Sequence, residues 1–310
     1  MRKVLMTFAV LMTITGCRFS FEIEETGLEK EICIRSMICA DSTATILMHK
    51  AVPITDVART DTAMITPVLT LKCNGQEVGT ASSGAENGGR RFRADAFKAG
   101  DKLELTAGAE GMETVMASTV VPGYFTGYEI GEFEITSGLV DKYRIVISYE
   151  DDPETDDFYG VSVEQTALIQ HPDWEEPIEE SFHLYPGEGY SEMTLDPGAY
   201  SPTVGEIEGQ TVFIWKDEDE DEEGSYEVRF QGSYAHTYCV EIRTRFCFYK
   251  LSEELYKTLK ADFEAGYNPL FYIGLATPSF TYSNIRGGIG YFGAYSKTWS
   301  DWIIQKTSNE

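Results

Sequence analysis

Tyr238-Cys-Val-Glu-Ile-Arg-Thr-Arg-Phe-Cys-Phe248 alternates without a break: Tyr238, Val240, Ile242, Thr244, Phe246 and Phe248 fall on one side, Glu241, Arg243 and Arg245 on the other. A period of two over this length identifies an antiparallel β-strand buried on one face. Tyr143-Arg-Ile-Val-Ile-Ser-Tyr149 reads the same way, with Tyr143, Ile145, Ile147 and Tyr149 sharing a face. The fold class these runs predict is mainly β. Cys239 and Cys247 stand an even number of residues apart on that strand, so they are expected on one face, too far apart to bond to each other.

Upstream, residues 29–122 read as an Ig-like β-sandwich domain. Ile32 to Met37 and Ala44 to Met48 are short β-rich runs. Val68-Leu-Thr-Leu-Lys-Cys73 enters Asn74-Gly75, a strong hairpin signal because both residues tolerate positive φ. Lys102 to Ala107, Gly108 to Gly111 and Met112 to Val121 read as a further hairpin, and short strands punctuated by turns predict a sandwich. Pro122-Gly123 sets the expected boundary.

Residues 123–310 then form a larger antiparallel β domain with one short helix near 252–264. Ser252 is its N-cap, Glu253 and Glu254 face the positive end of the dipole, and Leu251 and Tyr256 occupy staple positions. Leu255, Leu259 and Phe263 make a stripe towards the sheet, and Gly266 ends the helix. Trp299, Trp302 and Ile303 are expected in a last strand.

The N-terminus carries an address. Arg2 and Lys3 precede an apolar run from Val4 to Ile14, well short of the roughly 20 residues a membrane-spanning helix needs. A positive start, a short apolar core and small residues at its end mark residues 1–16 as a cleaved signal peptide. Ile14-Thr15-Gly16-Cys17 resembles a bacterial lipobox, which makes Cys17 the lipidation site and residues 17–28 a lipidated tether. Acyl chains contribute about 0.8 kcal/mol per buried methylene, so the expected partner is a membrane held through the lipid. Glu22, Glu24 and Glu25 admit two readings, a surface-export signal or a solvated spacer.

The formal charge is −26, with 51 acidic against 25 basic residues. That balance excludes a nucleic-acid binder, which needs a basic surface, and excludes adhesion to anionic lipid by charge. Cys33, Cys39, Cys73, Cys239 and Cys247 remain after Cys17, an odd number that cannot all pair within one chain.

The motifs of catalysis are missing. His49, His171, His183 and His236 are scattered, and no serine stands in a G-x-S-x-G elbow. Gly288-Ile-Gly290-Tyr-Phe-Gly293 matches a dinucleotide fingerprint in letters, but no βαβ unit fits so near residue 310. Its glycines are expected where backbone approaches backbone. No cofactor and no enzymatic activity are expected. Asp217 to Glu223 is an unbroken acidic run, read as an exposed loop tip. Asp151, Asp152, Asp156 and Asp157, bent by Pro153, are calcium candidates against the alternative of a polar turn. Exposed aromatics are platforms for glycan or peptide contact, which makes Trp174, Tyr185 and Tyr190 ligand candidates.

The tail Tyr282-Ser-Asn-Ile-Arg-Gly-Gly-Ile-Gly-Tyr-Phe-Gly-Ala-Tyr-Ser296 resembles the C-terminal signature of a Bacteroides-type lipoprotein family, domain-of-unknown-function family four-two-four-nine. The lipobox, Asp152-Pro153 before Phe158-Tyr159, and the Leu-Ser-x-Glu-Leu-Tyr start at Leu251 agree with it. The acidic run at 217–223 departs from the family pattern. The resemblance implies an outer-membrane lipoprotein, facing either the periplasm or the cell surface, that serves as a non-catalytic binding or accessory partner of a TonB-dependent transporter barrel. A structural or adhesive surface protein is the alternative, and a surface hydrolase the third reading.

Overall fold

A computed structural model describes residues 31–50, 68–78, 80–86, 89–136, 141–150, 154–183, 203–217, 223–231, 238–266 and 282–306. In chain order the strands begin with β1 (Ile32–Cys39), β2 (Thr43–Lys50), β3 (Val68–Cys73), β4 (Gln76–Val78), β5 (Thr80–Glu86) and β6 (Gly89–Ala96). They continue as β7 (Lys102–Gly108), β8 (Val115–Val120), β9 (Tyr128–Ile130), β10 (Glu134–Thr136), β11 (Lys142–Glu150) and β12 (Phe158–Ile169). Then come β13 (Ile178–His183), β14 (Val204–Ile207), β15 (Gln210–Lys216), β16 (Glu223–Gln231) and β17 (Cys239–Leu251). Helix α1 (Glu253–Gly266), β18 (Ile289–Trp299) and β19 (Ile303–Lys306) follow. The protein is mainly β, with one short helix among the described residues.

An 11-stranded sheet forms the backplate, ordered β14-β15-β12-β17-β18-β1-β2-β6-β5, with β13 beside β12 and β19 beside β17. It takes strands from both sides of Pro122. β1 runs parallel to β18, with Cys33 opposite Ile289 and Cys39 opposite Tyr295, while the other pairings of this sheet are antiparallel.

Two four-stranded sheets pack on one face of this backplate. In the first, β4-β3-β7-β8, Leu71, Leu103, Leu105 and Val115 are buried against Ile32, Ile34, Ile46 and Phe292 of the large sheet. Alternation creates this two-layer sandwich: β7 and β8 each bury every second residue. In the second, β9, β10 and β16 flank β11, and an aromatic core forms from Phe125, Tyr149, Tyr159, Trp215 and Phe248. Trp215 donates its indole N–H to the Tyr149 hydroxyl at 3.0 Å, so the polar end of the buried ring is matched.

Helix α1 covers the opposite face. Leu255 and Leu259 are buried with Leu251, Tyr256 and Tyr249, while Phe263 is only half-buried. Fully burying one leucine contributes about 1.5–3 kcal/mol, so the stripe seats the helix. Both ends of β17 differ from a one-faced strand. From Phe246 onward both faces are buried, because Cys247, Tyr249 and Leu251 lie under α1. Near its start the register with β12 shifts, since Leu168 faces Glu241 and Ile169 faces Cys239, leaving Val240 as the extra residue. The bulge turns Cys239 to the side of Ile242, Ala167 and Ile169, opposite to Cys247. The two cysteines are therefore on different faces, contrary to the sequence expectation.

Candidate functional site

The segment Tyr282 to Arg286 lies where β17 leaves the sheet and α1 begins. It occupies the flank of β18 opposite β1. Asn284 pairs with Phe292 through its side chain, donating to the Phe292 carbonyl at 2.8 Å and accepting from the Phe292 N–H at 2.9 Å. Two residues on, Arg286 makes an antiparallel bridge to Met116 of β8, with N–H to carbonyl distances of 3.1 and 2.8 Å. The segment thereby ties the backplate to the small sheet and closes that edge of the sandwich.

The glycines behind it show why the sequence must be so. Gly290 has φ +106°, and a Cβ there would sit 1.9 Å from the Ile34 carbonyl oxygen. At Gly288 a Cβ would come within 2.5 Å of the Ile32 oxygen, and at Gly293 within 2.8 Å of Leu255 in α1. The run that spells a dinucleotide fingerprint is thus close packing of backbone against β1 and the helix, as the sequence predicts.

A cleft of about 600 Å³ opens beside this segment. Its floor is the outer face of β7 and β8, carrying Glu104 and Met116, with Lys72 from β3 alongside. Its walls are Tyr282, Arg286 and the first turn of α1 with Glu254, whose carboxylate accepts from Thr119 Oγ1 at 3.0 Å. Lys257 lies 5.8 Å from the centre of the Tyr282 ring and pairs with Glu253 at 2.6 Å. Burial, with the Glu254 and Glu253 charges, pushes the Tyr282 hydroxyl above its usual range against the pull of Lys257, so it stays a neutral donor and acceptor.

On the other side of Tyr282 is a smaller hollow of about 200 Å³ holding Cys33, Arg35, Asp262 and Tyr291. Burial raises the Cys33 thiol despite the Arg35 guanidinium, which keeps it a thiol and a weak nucleophile. Burial likewise lifts the Asp262 carboxyl, again opposed by Arg35.

The residues singled out from sequence lie elsewhere. Trp174 is on the turn after β12, 42% exposed, its ring 5.2 Å from that of His171. Asp156 pairs with Lys216 at 2.9 Å, and Asp157 takes Lys250 at 2.6 Å and the Tyr159 hydroxyl at 3.2 Å. Those aspartates precede β12 and Trp174 follows it, so the strand holds them roughly 40 Å apart at about 3.3 Å per residue. Among the described residues no group of three or more metal-ligating side chains converges. Cys17, Asp151, Asp152, Tyr185 and Tyr190 lie outside the described residues. Of the acidic run, Asp217 is buried, its N–H donating to the Asp157 carbonyl at 3.1 Å, and Glu223 begins β16, so both ends are anchored. Neither Lys72 nor Glu104 stands out in sequence, because solvent-facing charges on strands look alike until the cleft brings them together.

A second surface feature is aromatic. The Arg245 guanidinium lies 4.1 Å from the centre of the Trp299 ring and 4.4 Å from that of Trp302, and it pairs with Glu164 at 2.6 Å. Trp299 and Trp302 remain more than one-third exposed and do not fill a core.

Among known proteins, a family model described as Domain of unknown function (DUF4249) matches residues 18–300. No curated protein matches the chain. Of solved structures, the Yersinia pseudotuberculosis adhesin InvE is 10% identical over 72% of this chain and 57% of its own, with a TM-score of 0.20. The chain thus spans little more than half the length of that adhesin. The collagen-binding domain of the Erysipelothrix rhusiopathiae surface protein RspB is 8% identical over 87% of this chain and 97% of its own, with a TM-score of 0.17. Neither fold nor activity transfers at such scores.

Proposed function

The chain belongs to the DUF4249 family, and from that premise we propose that it is a lipid-anchored, non-catalytic binding protein of the outer membrane, an accessory of a TonB-dependent transporter. The observation that carries the binding reading is the open cleft of about 600 Å³ walled by the family-signature residues Tyr282 and Arg286. Concave sites lined by a few convergent polar groups are where small ligands settle. The anchor is supported by Arg2, Lys3, the short apolar run and Ile14-Thr15-Gly16-Cys17. The transporter partnership rests on what the resemblance of the tail, Tyr282 to Ser296, implies.

The test is a mild-detergent pull-down of the tagged full-length protein from its native membrane, with mass spectrometry. The expected result is a TonB-dependent barrel in stoichiometric yield and an N-terminus acylated at Cys17. A protein isolated alone, or with Cys17 unmodified, overturns the corresponding half of the proposal. The adhesive reading is favoured by one feature, the exposed Trp299 and Trp302 around Arg245, residue types that dominate interface energies. Cell adhesion lost in a Trp299→Ala, Trp302→Ala double variant would support it.

A further inference from the structure

We propose that the cleft beside Tyr282 binds a neutral oligosaccharide, an inference that rests on the binding reading and gives it a ligand class. Its lining carries two cations, Lys72 and Arg286, and two carboxylates, Glu104 and Glu254. In a chain of net charge −26, composition alone would line a cleft with acids, and this one is balanced. A ligand of either net charge would meet as many like charges as opposite ones there, and each like pair costs affinity. A hydroxyl both donates and accepts, so a polyhydroxylated ligand uses lysine, arginine and glutamate alike.

The apolar contacts point the same way. Tyr282 offers a half-buried ring with a neutral hydroxyl, and Met116, about half exposed, an adaptable thioether. Such surfaces suit the C–H face of a sugar ring. The floor is the outer face of two paired strands, an open surface that fits an extended chain of sugars better than an enclosed apolar molecule. An extended peptide is the rival occupant. The β8 edge that it would need for backbone pairing is already taken at Met116 by Arg286 and at the Ser118 carbonyl by Asn284.

The experiment captures the full-length lipoprotein in detergent on a sensor. Maltotriose, cellotriose, xylotriose and N-acetylchitotriose are passed over it, with tri-alanine and trigalacturonate as rivals. At least one neutral trisaccharide is expected to bind. Tyr282→Ala should weaken it about tenfold and Glu104→Gln several-fold, while Ile178→Ala, at an exposed position of β13 outside the cleft, leaves it unchanged. Glu104 is on a solvent-facing strand position, so its variant keeps the test alive if Tyr282→Ala fails to fold. No binding by any neutral sugar, preference for tri-alanine or trigalacturonate, or binding that survives both substitutions overturns the proposal. If the barrel still co-isolates in that case, the accessory reading stands and only the ligand class falls.

Discussion

Asn284 reaches the backbone of Phe292 with both ends of its amide, 2.8 Å to the carbonyl and 2.9 Å from the N–H, and so makes the pair of bonds that a neighbouring strand would make. Asn284→Ala should cost about 1–3 kcal/mol, because the Phe292 groups lie under the segment and lose both partners. Asn284→Asp keeps the acceptor but sets a carboxylate against a carbonyl, and should cost at least as much. Urea denaturation midpoints compared at equal m-value decide it.

Gly290 and Gly75 make a controlled pair. Both have positive φ, +106° and +82°, but a Cβ at Gly290 meets the Ile34 oxygen at 1.9 Å whereas nothing lies within 4 Å at Gly75. Gly75→Ala should cost about 1 kcal/mol, the penalty of the left-handed backbone alone. Gly290→Ala must also push β1 away from β18, and a loss of about 4 kcal/mol or more is expected. Equal costs in thermal unfolding would show that the parallel pair is not as tight as described.

Ser252 serves two masters. Its hydroxyl accepts from Leu255 N at 3.3 Å as the helix cap and from Ala294 N at 3.1 Å in β18. Ser252→Ala should therefore exceed the usual ~1 kcal/mol of a lost cap, since a buried N–H in the sheet is orphaned as well. Hydrogen exchange should show the Leu255 and Ala294 amides losing protection together.

The acid limb of stability should depend on Glu208. Burial works against its charge, but hydrogen bonds from Lys297 and Tyr295 outweigh that and hold the carboxyl below its usual 4.5. An acid depressed on folding stabilises above its unfolded value, and that contribution vanishes as pH falls through the lower folded value. Glu208→Gln should flatten the loss of stability below about pH 4.5, and an unchanged acid limb would remove Glu208 as its cause.

What the sequence disclosed was local. Ser252, Glu253, Glu254 and the Leu255–Leu259 stripe specify α1 within a few residues, and Asn74-Gly75 specifies the β3–β4 turn, observed with φ of 52° and 82°. Pairings between distant segments carry no such signal. Nothing near Cys33 announces Ile289, and the Gly-rich tail signals a close backbone approach without saying that Gly290 meets Ile34. Even the alternating strand misled at one point, because one extra residue at Val240 reverses the side on which Cys239 lies. The cleft was hidden for the same reason: Lys72, Glu104, Glu254 and Arg286 come from four separate elements.

The parallel pairing of β1 with β18 has a consequence for biogenesis. Ile32 to Cys39 cannot find its parallel neighbour until residues 289–295 have been made, so β1 waits, unpaired on that side, while about 250 residues are added between them. Contacts of such long sequence separation close slowly. A chain that cannot finish its core early stays open to other partners for longer. A product truncated before β18 would leave β1 with a bare edge for proteases to find.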